Sequence, residues 1–179
     1  GCQDFSQSSA CPGLLSVNIP IGAIITSVDV QYTMTALSNG EIQDQRSQLR
    51  CTSPGGTSEM TVFEGVGNNN GTYSYNRSGL NIANAVSGGG NIDFELHAGR
   101  TRIGIGCTSN RNIVDNSSWT VTVNYEVDPI PDFTANPTTV VVWQPVVFTD
   151  NSTGPVTSWF WDFGDNAVPA TANTSGPHE

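Results

Sequence analysis

Basic residues are scarce: six Lys and Arg stand against sixteen Asp and Glu in 179 residues, a net charge of −10 at pH 7. Such a chain repels a phosphate backbone or an anionic bilayer, which argues against nucleic-acid binding. Long apolar runs are missing too. None approaches the roughly 18 residues that a membrane-crossing helix needs, so membrane insertion is not expected. The chain starts at Gly1 without a charged and apolar export leader, as a mature or trimmed chain would. Helical periodicity is nearly absent; the one candidate, GLNIANAV at 79–86, is short and Asn-rich. Catalytic equipment is thin. His97 and His178 are the only near-neutral bases, no G-x-S-x-G elbow occurs, and no carboxylate sits in an apolar stretch that would raise its pKa. A noncatalytic protein is expected.

Cys2, Cys11, Cys51 and Cys107 are even in number and lack the C-x-x-C spacing of zinc ribbons and thioredoxin-like sites. They point to disulfides and an oxidising compartment, hence an extracellular or cell-surface location. Of the three pairings, Cys2 with Cys11 and Cys51 with Cys107 is favoured, because a local and a long-range clip leave the intervening strands free to pair. On the chain-entropy account the long loop stabilises by about 4 kcal/mol and the short one by about 3 kcal/mol.

The chain is rich in strand pattern and in turn chemistry. Val28, Val30, Tyr32 and Met34 alternate with Asp29, Gln31, Thr33 and Thr35, the period of a half-buried strand. The same period places Ile92, Phe94 and Leu96 on one face, and Trp119, Val121, Val123, Tyr125 and Val127 on another. SPGGTS, GNNNGT and SGGGN between such runs are turns, since Gly and Asn tolerate positive φ. The fold class is all-β, a β-sandwich. DPIPD at 128–132 holds two prolines that cannot join a central ladder, so the domains are placed at 1–128 and 129–179 with a stiff connector between them.

In the second domain, SWFWDFGDN (158–166) sets Trp159, Trp161 and Phe163 on one strand face and Phe160 and Asp162 on the other, before Gly164, Asp165 and Asn166 turn the chain. Trp161 is expected as the buried centre of a sandwich. Asp132-Phe133 with Asn136-Pro137, then Val147 to Ser152, then Trp161-Asp162-Phe163-Gly164-Asp165 resemble a PKD (polycystic kidney disease) domain over residues 130–179. The resemblance implies a noncatalytic immunoglobulin-like sandwich used as a spacer or adhesive module in extracellular proteins. The family usually continues through two more strands beyond Glu179. Their absence is expected to reflect either a fragment of a longer polypeptide or completion by strand addition from a neighbour.

In the first domain, ITSVDVQYT, LRCTSPGGTSEM and NSSWTVTVNYEV resemble the jelly-roll P-domain found beside subtilisin-like proteases. The arrangement as a whole is similar to secreted surface proteins of gliding bacteria, which implies type IX secretion.

Several constellations carry chemistry. Asp93, Glu95 and His97 project from one strand face, where the wet side of a half-buried strand is expected in preference to a metal site; Arg100 and Arg102 downstream are ion-pair partners on a turn. Asp128 and Asp132 at the linker, with Asp150, Asp162 and Asp165 at turns, have the oxygen ligands a Ca2+ ion takes, although none follows EF-hand spacing; no other cofactor is expected. Tyr73, Tyr75 and Trp143 offer a flat aromatic platform for sugar rings, Trp143 being the most exposed because Gln144-Pro145 follows it. Asn70, Asn76, Asn116, Asn151 and Asn173 begin N-x-Ser/Thr sequons. The expected role is a noncatalytic adhesion or spacer segment of a larger secreted or surface protein, facing an extracellular protein or polysaccharide. The alternatives are a carbohydrate-binding accessory region of a hydrolase and a filament subunit that self-assembles by strand addition.

Overall fold

The computed structural model describes residues 4–37, 40–101, 106–107 and 112–179. It is nearly all β, and the chain divides into two compact units, Gly1–Glu126 and Val127–Glu179.

In the first unit, one sheet runs in the order β1 (Gly13–Ile19), β6 (Gly90–Arg100), β3 (Gln45–Cys51), β4 (Phe63–Glu64), with antiparallel pairing throughout. The other has β2 (Ala23–Ala36) at its centre, flanked by β5 (Gly71–Leu80) and β7 (Asn112–Val114); β8 (Thr120–Val127) also pairs with β2. The alternation of apolar and polar residues marks the dry faces of β2 and β6. Val28, Val30, Tyr32 and Met34 of β2 and Ile92, Phe94 and Leu96 of β6 are all buried, and with Leu49 and Ile19 they form the core. Trp119 lies against the first sheet, since a Cβ on Gly13 would come within 3.2 Å of its ring. Along β8 the pattern weakens: Val123 is buried but Tyr125 is exposed.

Residues 81–86 form a turn with no helix, and Ile82, Ala83 and Val86 are drawn into the core. A segment this short cannot nucleate a helix against that pull. A 3-10 helix at Phe5–Ala10, capped by the Asp4 carboxylate on the Ser6 amide at 2.9 Å, carried no periodicity that would have announced it.

Polar side chains tie the two sheets. Tyr32 of β2 donates to Ser47 Oγ of β3, Gln45 of β3 donates to the Met34 carbonyl at 3.0 Å, and Tyr75 of β5 donates to Gln45 Oε1 at 2.9 Å while stacking on Tyr32 at 4.9 Å. Arg77 of β5 meets Glu59 through two hydrogen bonds, Nε to Oε1 at 2.5 Å and Nη2 to Oε2 at 3.0 Å, and donates to the Tyr32 hydroxyl at 3.0 Å. Its guanidinium sits over the rings of Phe63 and Tyr32, 4.5 and 5.2 Å from their centroids. Glu59 also accepts from the Leu49 amide at 2.6 Å. Burial opposes the Arg77 charge, yet the Glu59 carboxylate and Tyr32 outweigh it and hold the guanidinium pKa above its ordinary value.

The cysteines pair differently from the expected scheme. Cys11 is bonded to Cys107, with Cα atoms 5.7 Å apart, and Cys51 is a buried free thiol; Cys2 lies outside the described residues. The physical reason is strand position. Cys51 ends β3 opposite Phe94, inside the sandwich, where Gly56 packs against its Sγ. Burial raises its pKa.

The second unit holds two two-stranded antiparallel sheets, β9 (Phe133–Asn136) with β10 (Val147–Asp150) and β11 (Trp161–Asp162) with β12 (Thr171–Ala172). His178 adds a two-bond bridge to Phe148. Trp161 stacks on Phe163 at 5.9 Å and meets Phe133 and His178 edge-on. It is half-buried, in contrast to the buried centre expected, because strands this few cover only part of the cluster; no side chain of this unit is fully buried.

Two predictions follow from the first unit. Replacing Arg77 by Met strands the Glu59 carboxylate in the interior, so urea unfolding should register a loss of about 3–5 kcal/mol, partly restored by a second change of Glu59→Gln. Iodoacetamide should leave Cys51 unmodified in the native protein and label it after denaturation, as read by peptide mapping.

Candidate functional site

The sequence-derived candidates separate once the strands are in place. Tyr75 is interior, stacked on Tyr32, and Tyr73 is half-buried with its ring edge-on to Tyr75 at 5.0 Å. They do not make an exposed platform, because β5 pairs with β2 so that Tyr75 stands opposite Tyr32 and Tyr73 opposite Met34. Burial raises the pKa of both Tyr32 and Tyr75, so both hydroxyls stay protonated near neutrality and serve as hydrogen-bond donors.

The strand face bearing Asp93, Glu95 and His97 is wet only at its start. Asp93 is exposed and accepts from Ser16 Oγ at 2.5 Å, whereas His97 is buried with Nδ1 3.1 Å from Ser8 Oγ and Nε2 2.8 Å from Glu95 Oε2. The 3-10 helix at Phe5–Ala10 covers this end, which a reading of alternation alone could not foresee. Arg100 is buried at the end of β6, and Arg102 lies outside the described residues.

The candidate calcium ligands serve as turn acceptors. Asp162 Oδ1 accepts from the Gly164 amide at 2.9 Å, where Gly164 takes φ +91°, and Asp132 Oδ1 accepts from the Phe133 amide at 2.9 Å. Asp128 and Asp165 are exposed. Among the described residues no three His, Cys, Asp or Glu side chains gather as a metal-holding group. Asp150 accepts from the Ser152 amide at 2.9 Å and from Trp159 Nε1 at 2.7 Å. Hydrogen bonds from Ser152, then from Trp159, hold its pKa below the ordinary carboxylate value of 3.8.

Two features of the second unit remain. The first is the turn at 141–144, closed by the Gln144 amide on the Val141 carbonyl at 3.1 Å. Trp143 occupies its third position with φ +75° and is 94% exposed, following exposed Val140, Val141 and Val142. A bulky residue in this left-handed region costs about 1–3 kcal/mol. The second is a groove of about 460 Å³ between Phe133 of β9 and the 158–163 segment, with Trp159, Phe160 and Trp161 along its wall. The sequence singled out this stretch, with Trp161 expected as core.

The chain is thus an all-β sandwich protein whose first unit has a dry core and whose second presents apolar rings to solvent. Comparison with family models, curated proteins and solved structures returns no match. Among the described residues no helix is long and apolar enough to cross a membrane.

The Asp150 geometry has a pH consequence. Its folded-state pKa lies below the unfolded one, so its stabilisation is present above the ordinary carboxylate range and is lost as pH falls through the folded value. The Trp159 indole N–H resonance should therefore shift and broaden with a midpoint below the ordinary carboxylate value, and Asp150→Asn should remove that transition.

Proposed function

We propose that the chain is a noncatalytic adhesion and spacer segment of a secreted or cell-surface protein. In this reading the first unit is a jelly-roll-like body and the second an immunoglobulin-like, PKD-type contact module. The observation that carries it is the 141–144 turn. An exposed Trp held at positive φ behind three valines is unfavourable in hydration and in backbone energy at once, and such a tip persists where it is used for contact. The ring offers a large rigid area with little side-chain entropy to lose. The Cys11–Cys107 disulfide agrees with an oxidising exterior, and six arginines against sixteen acids suit a soluble, self-repelling surface.

Retention of the purified chain on immobilised cell-envelope protein and on immobilised cellulose, chitin and xylan tests the reading. Saturable retention on protein is expected, and Trp143→Gly should weaken it by about tenfold without lowering thermal stability, since glycine accepts that φ. Retention on polysaccharide alone assigns carbohydrate attachment instead. No retention on any surface, or retention indifferent to Trp143, overturns the proposal.

A further inference from the structure

We propose that the groove of the second unit is a docking site for an extended peptide segment bearing arginine or lysine side chains. The site is separate from the 141–144 turn, since none of its lining residues comes from that turn. Its walls are rings: Phe133, Phe148, Trp159, Phe160, Trp161 and Phe163. Phe160 is 74% exposed and Phe133 is also exposed, so apolar area stands open there to a partner.

The free backbone beside these rings identifies the occupant as extended. Residues 157–160, which include Ser158, Trp159 and Phe160 of the groove wall, form no backbone hydrogen bond among the described residues, and β9 and β11 are each paired on one side only. A run of unpaired N–H and C=O groups next to an apolar groove is what an added strand needs: main-chain bonds supply affinity and alternate side chains fill the groove.

Charge identifies its side chains. Asp132, Asp150 and Asp162 line the groove. Val127–Glu179 also contains Asp128, Asp165 and Glu179, yet neither Lys nor Arg, so no guanidinium or ammonium within the unit pairs with these carboxylates. All six arginines of the chain lie in the first unit, and it has no lysine. A guanidinium or ammonium entering the groove meets carboxylates and ring faces together, which a neutral sugar does not exploit and an acidic strand is repelled by.

The test uses the whole chain and three probes: an Arg-Val alternating octapeptide, its Glu-Val counterpart and chitohexaose, titrated calorimetrically at low and high salt. The Arg-Val peptide should bind at low salt and weaken at least about tenfold at high salt. Asp132→Asn and Asp162→Asn, which keep an acceptor for their turn amides, should each weaken binding several-fold, as should Phe160→Ala at its exposed position. N-methylation of alternate peptide amides should abolish binding. No saturable binding of the Arg-Val peptide, equal binding of the Glu-Val peptide, or tolerance of N-methylation overturns the inference. Chitohexaose binding that competes with the peptide does so as well, and gives the groove to carbohydrate. A groove that binds while the Trp143→Gly chain still loses surface retention separates this site from the adhesive turn.

Discussion

One guanidinium organises the interior of the first unit. Arg77 is carried by β5 but bonds to Glu59, outside either sheet, and to Tyr32 of β2, whose hydroxyl in turn reaches Ser47 of β3. A charge in such a place is tolerable only if nearly every donor finds an acceptor, and here a bidentate carboxylate, a phenol and two aromatic faces are supplied from three different segments. The network has a directional character that apolar packing lacks. A one-residue slip of β5 on β2 would turn Arg77 to the opposite face and leave Glu59 without its partner. Register, sheet stacking and the position of the Glu59 loop are thereby set by one side chain.

Around that centre the first unit builds a dry apolar core, and the second does not. The difference is one of strand supply. Long strands such as β2 and β6 have neighbours on both sides, and their inner faces are dry. In the second unit the strands are two to four residues long, and the cluster of Phe133, Phe148, Trp161, Phe163 and His178 is held by ring contacts and one His178 bridge. Aromatic contacts of this kind stabilise by about 0.5–1.5 kcal/mol each beyond area burial, enough to order a cluster but not to hide it from water.

The alternation of β2 and β6 was readable because a strand with one dry face writes its period directly into the sequence, and the turn residues between strands were equally plain. What was hidden came from distant partners. His97 reads as a solvent-facing residue until Phe5–Ala10 folds over it, and Tyr75 reads as a surface ring until β5 aligns with Tyr32. The cysteine pairing failed for the same reason: Cys51 belongs to an inward position of β3, information that spacing along the chain does not contain. Trp143 was legible as exposed from the proline after it, while its left-handed backbone was not. The groove was concealed most thoroughly, because its aromatics carry the pattern of a core and only the shortage of covering strands reveals them as a surface.

The absence of any fully buried side chain in Val127–Glu179 has a thermodynamic consequence. Cooperative melting requires a shared interior that is lost all at once, and this unit has no such interior to lose. A calorimetric peak is therefore expected from Gly1–Glu126, with the second unit loosening gradually beneath it, so that a single transition midpoint describes the larger unit alone.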